Sequence, residues 1–139
     1  MTINTRQYIL RANALFLLIA SAGGFVADVV AVNTLAGPMG RVIASAPHSA
    51  IGLIEAHGLA FILGVLLWRA EPSRDWHLTA AAIHLLLGTA NLVFWQVFIS
   101  GDALIVGYVS TALHGLFVLL ELLAAVKAGT VVKVDKTNA

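Results

Sequence analysis

Cysteine is absent from the 139 residues, which removes disulfides, thiolate metal sites, iron–sulfur clusters and thiol nucleophiles. Charge is scarce as well: 11% of the residues are Asp, Glu, Lys or Arg, where a soluble domain carries roughly a quarter. Against this stand 60% hydrophobic residues and a mean hydropathy of +0.93. A water-soluble core cannot absorb that much apolar side chain, so the solvent for most of the surface is lipid. The sequence has no Gly-rich phosphate loop, no serine in a nucleophile elbow and no His-Glu-x-x-His. It has no basic patch suited to nucleic acid. No lysine lies inside an apolar run, which argues against a retinal Schiff base.

What is present is four apolar runs, over residues 12–35, 51–68, 76–98 and 103–126. Each is long enough to cross a hydrocarbon core of about 30 Å at about 1.5 Å per residue. The three prolines, Pro38, Pro47 and Pro72, all lie between runs. Residues 36–50, with Gly37, Pro38, Gly40, Arg41, Pro47 and His48, carry the breaker chemistry of a long outer loop. Residues 129–139, with Lys133, Asp135 and Lys136, are expected to be a disordered tail. Ala20-Ser21-Ala22 has the small-x-small form of a signal-cleavage site, but the apolar run continues past it for a further turn and more. The length allows one domain, residues 1–139.

The expected fold is therefore all-α, an integral membrane four-helix bundle running up-down-up-down. Cations orient it. Arg6, Arg11, Arg69, Arg74, Lys127, Lys133 and Lys136 fall on the side of the termini, and Arg41 alone on the other. This asymmetry places both termini in the cytoplasm, with the chain in the cell (inner) membrane. Ala14 to Ile19 resembles Ala82 to Leu87, and His57-Gly58-Leu59 recurs as His114-Gly115-Leu116. An internal repeat of two plus two helices in parallel orientation would account for both.

Polar residues inside the runs fall at steps of seven: Ser21 and Asp28; His77, His84 and Asn91; His114 and Glu121. A step of seven returns to nearly the same helix face, so each set forms a stripe. Ionisable groups are costly in lipid, and the stripes are expected to face the bundle interior. Glu55, two residues from His57, points to a different face. Depths along the spans group Asp28, His57, Asn91 and His114 in an outer cluster and His84 with Glu121 in an inner pair.

Three function classes fit these residues. In the first, His57 and His114 are the axial ligands of a haem b used in membrane electron transfer. Gly58 and Gly115 make room for the porphyrin edge, and Arg41 meets a propionate. In the second, Asp28, His57 and His114 bind a divalent transition metal, or Glu55, His84, Asn91 and Glu121 with the histidines make a proton relay or inter-helix contacts, as in a small transporter or membrane enzyme. In the third, no cofactor is bound and the chain is an accessory subunit whose polar groups only hold helices together. Partners are the lipid bilayer itself and a homo-oligomer or membrane complex, with no nucleic acid.

Overall fold

A computed structural model describes residues 1–129; the expectations for the tail, with Lys133, Asp135 and Lys136, lie outside the described residues. Six helices and no strand occur among the described residues: α1 (Ile3–Thr34), α2 (Gly37–Ser45), α3 (Ser49–Arg69), α4 (Arg74–Val93), α5 (Gln96–Ser100) and α6 (Leu104–Gly129). Four of them, α1, α3, α4 and α6, are long and apolar enough to cross a membrane. The molecule is an all-α four-helix membrane bundle.

Helix α1 starts nine residues before the apolar run that announced it, because Thr2 caps it: the Thr2 hydroxyl accepts from the Thr5 N–H at 3.2 Å. Its 32 residues make about 48 Å, more than the hydrocarbon thickness, so both ends reach the polar interfaces. It stops at Leu35, which is left-handed (φ 53°) and returns its N–H to Ala31.

The outer connection, expected as a loop, instead contains α2. Gly37 turns the chain at φ +73°, and Pro38 then sits in the first helical turn, where a missing N–H costs nothing. Breakers at the start of a helix were indistinguishable in sequence from breakers of a loop. Val42 and Ile43 bury α2 against its neighbours, and at Gly40 a Cβ would overlap the backbone of Leu35.

The third span also departs from a single helix. Helix α4 ends at Val93, with Phe94 as its C-cap, and α5 resumes after Trp95, whose ring packs on Phe98 and Tyr108 at centroid distances of 5.3 and 4.9 Å. Arg41 of α2 then donates to the Gly101 carbonyl at 2.5 Å, tying α2 to the end of α5.

The long helices pair as two hairpins, α1 with α3 and α4 with α6, joined mainly along α1 and α6. Small residues set the close approach. A Cβ at Gly64 of α3 would lie 3.0 to 3.2 Å from Leu18 of α1, and one at Gly88 of α4 3.2 Å from His114 of α6. An apolar core of Leu10, Ala14, Leu17, Leu67, Ala70 and Ala80 fills the end nearest the N-terminus. The outward surface is aliphatic, with residues such as Ile19, Leu86 and Ile105 exposed, as a lipid-facing surface requires. In lipid, dispersion rather than water exclusion rewards packing, so truncating a core leucine should cost the low end of the usual range. Leu67→Ala should lower stability by about 2 kcal/mol, measured as the shift in detergent-unfolding midpoint; an unchanged midpoint would contradict the tight seat of Leu67.

Candidate functional site

The interior of the bundle is polar where the apolar core ends. Asn13 of α1, His77 and His84 of α4, and His114 and Glu121 of α6 are all buried, at 8% exposure or less. The step of seven puts His77 and His84 on one face of α4, and His114 and Glu121 on one face of α6. Packing α1 across the junction of that hairpin inserts Asn13 between them.

The five side chains form one continuous chain of hydrogen bonds. His77 Nδ1–H donates to Glu121 Oε2 at 2.5 Å. Asn13 Nδ2–H donates to Glu121 Oε1 at 2.6 Å. Asn13 Oδ1 accepts from His84 Nε2–H at 2.5 Å, and His84 Nδ1 lies 2.8 Å from His114 Nδ1. This order assigns the tautomers. A neutral His84 that donates through Nε2 must accept at Nδ1, so His114 carries its proton on Nδ1 and keeps a lone pair on Nε2. At the other end His77 Nε2 is buried without a partner. Phe16 and Phe117 stack on the His84 ring at 5.9 and 5.0 Å, and Phe16 meets His114 edge-on at 5.6 Å, walling the central imidazoles off from lipid.

A second polar contact lies further along α1. His57 Nδ1–H donates to Asp28 Oδ2 at 2.6 Å, with the Asp28 carboxylate fully buried and the His57 side chain 34% exposed. The Asp28 Oδ1 atom has no partner. The His57 ring lies over Gly24, close enough that a Cβ there would collide with it, and Nε2 is the atom nearest to that position. Asp28 is fifteen residues beyond Asn13, about 22 Å along the helix.

The expected groupings are therefore redrawn. The outer cluster of Asp28, His57, Asn91 and His114 is divided: Asp28 holds His57, Asn91 donates to Ser110 and Thr111 at 3.1 and 3.2 Å, and His114 turns to His84. The inner pair is not a direct contact, since Asn13 stands between His84 and Glu121. His57 and His114 each use Nδ1 within their own hairpin. A Cβ at Gly58 would meet only the Phe25 ring, at 3.8 Å, and one at Gly115 would enter open space. Arg41 is engaged with Gly101, and Glu55 is exposed on α3. No group of three His, Asp or Glu side chains converges as a metal site among the described residues. Sequence reasoning missed Asn13, which belongs to none of the stripes, and did not count His77 among the site residues. The signal for Asn13 was its step of seven from the buried Arg6.

Gly24→Ala should unseat His57 and leave the Asp28 carboxylate without its donor, a loss of about 1–3 kcal/mol, whereas Gly23→Ala, which meets nothing, should be nearly neutral. Unfolding midpoints of the two variants check this, together with the reactivity of His57 toward diethyl pyrocarbonate, which should rise in the first alone. Equal behaviour of the pair would contradict the seat. No protein-family model, curated protein or solved structure matches this chain, so a functional reading rests on its own residues.

Proposed function

We propose that the protein is a membrane proton-transfer protein whose working groups are His77, Glu121, Asn13, His84 and His114. The observation that carries this reading is the unbroken chain of hydrogen bonds across three helices, all of whose members are buried. Helices in lipid can be joined by one or two polar contacts at modest cost, but a carboxylate and three imidazoles in series exceed what packing alone needs. Imidazole and carboxylate both bind and release protons, and two of the four links have such a group at each end, while the other two share the Asn13 amide.

Asn13 sets how the two halves of the chain communicate. An amide does not readily take up a proton, so it acts by orientation. In the observed arrangement its NH2 faces a carboxylate and its oxygen faces His84 Nε2–H. Rotated by half a turn, its oxygen would require a protonated Glu121 and its NH2 would require a lone pair on His84 Nε2. His84 would then donate through Nδ1, and His114 would carry its proton on Nε2. The two patterns differ by one bound proton, held on Glu121, and by reversal of both imidazole tautomers. Protonation at one end is thus linked to the state of Nε2 at the other. The cation asymmetry supports placing the His77 end toward the cytoplasm.

A haem reading has one supporting feature, that Nδ1 of His57 and of His114 is already hydrogen-bonded, as in ligating histidines. It would need the two Nε2 atoms to meet one iron from different hairpins, with the Nε2 edge of His57 leaving Gly24. The proton reading needs only rotation of the Asn13 amide and a change of imidazole tautomer, with no movement of a helix.

The test is proton movement into vesicles containing a pH-sensitive dye, with a potassium diffusion potential as the driving force. Vesicles with the protein should acidify faster than empty ones. Glu121→Gln and His84→Ala should reduce the excess rate by about 10²-fold, the usual loss when a proton-transfer group is removed. A wild-type rate equal to that of empty vesicles, or full activity in Glu121→Gln, would refute the proposal.

A further inference from the structure

The turn between α3 and α4 forms a cavity of about 440 Å³ lined by Leu66, Arg69, Ala70, Glu71, Ser73 and Trp76. It lies at the membrane end that carries the N-terminus, where Trp68 and Trp76 mark the interface. Behind it, Arg6 of α1 donates through one guanidinium nitrogen to the Pro72 carbonyl at 3.0 Å. Arg6 is 8% exposed, and its Nε has no partner. Arg11 lies over the Trp68 ring at 5.1 Å and has a buried nitrogen without a partner. The two ion pairs among the described residues both join a histidine to an acid, so neither includes an arginine. Of the described acids near this end, Glu121 is taken by His77 and Asn13, Asp75 is exposed, and Glu71 lines the cavity. A buried guanidinium that donates to a carbonyl is an expensive arrangement unless an anion accompanies it.

We propose that this turn binds the headgroup of a membrane phospholipid. Arg69, in the lining, supplies positive charge to the phosphodiester directly, and Arg6, bound to the Pro72 carbonyl of the same turn, adds its charge from behind the backbone. Trp76 and Leu66 take the glycerol and the first acyl carbons, in the position where an interfacial tryptophan normally sits. Glu71 determines which lipid. A carboxylate in the same cavity opposes a headgroup with net negative charge and attracts one that carries an ammonium. A headgroup with a phosphodiester and a primary ammonium, as in phosphatidylethanolamine, satisfies both charges. This site is separate from the proton chain and stands independently of it.

The experiment is native mass spectrometry of the detergent-solubilised protein titrated with phosphatidylethanolamine, phosphatidylglycerol, and water-soluble phosphoethanolamine, with thermal unfolding of the same samples. Phosphatidylethanolamine should remain bound and raise the unfolding temperature. Phosphatidylglycerol should bind about tenfold more weakly, and the soluble headgroup should have no effect at the same concentration. Arg69→Gln, a change at an exposed side chain that the fold tolerates, should weaken retention about tenfold, and Glu71→Gln should remove the preference between the two lipids. Stabilisation by soluble phosphoethanolamine equal to that by the lipid would overturn the lipid assignment. Equal retention in wild type and Arg69→Gln, or a preference unchanged in Glu71→Gln, would overturn the site.

Discussion

The Asn13 amide is the contact on which the interior depends. It is the point where α1 meets the α4/α6 hairpin in polar terms, holding Glu121 with one end and His84 with the other. A carboxylate at that depth must be matched donor for acceptor, since no water competes for it. Glu121 reaches this condition only when α4 brings His77 to one oxygen and α1 brings Asn13 to the other. One acid therefore fixes the vertical register of three helices. A slip of either neighbour by one turn, about 5.4 Å, would strand the carboxylate and both imidazoles together.

Helix α3 is held by a different balance. Its principal neighbour is α1, and its seat relies on Gly64 and Ala60 letting the backbones approach and on Leu67 closing the apolar core. The single polar bond at its far end, His57 to Asp28, is made possible by Gly24, which leaves room for the imidazole. The same device recurs in the other hairpin, where Gly88 faces the Cβ of His114. In each hairpin a histidine of the second long helix lies on a glycine of the first. The two histidines nevertheless face different partners, Asp28 for His57 and His84 for His114.

The four spans and the polar stripes were legible in the sequence because both are periodic properties of single helices. Length against hydrocarbon thickness identified the spans, and steps of seven placed His77 with His84 and His114 with Glu121. Partnership was not legible, because periodicity says which face a residue occupies and not which helix lies opposite. Hence His84 and Glu121 were paired by depth, while the amide that stands between them went unnoticed. Asn13 drew no attention because a lone amide in a membrane segment is cheap and common. The α2 helix was hidden for another reason: Gly37 and Pro38 act as breakers in mid-element and as starters at a first turn, and only the tertiary setting of Val42 and Ile43 distinguishes these.

An amide at position 13 is also the side chain that best suits a linked chain. An aspartate there would set a second carboxylate against Glu121 and could satisfy it only by binding an extra proton. A leucine would leave Glu121 Oε1 and His84 Nε2 without partners, and a serine would be too short to reach both α4 and α6. Asparagine offers a donor and an acceptor on two separate atoms, and can exchange their places by rotating a terminal bond. In the proposed proton chain that exchange demands a proton on Glu121 and opposite tautomers in His84 and His114, so the amide that joins α1 to the α4/α6 hairpin would also tie the two ends of the chain to a single protonation state.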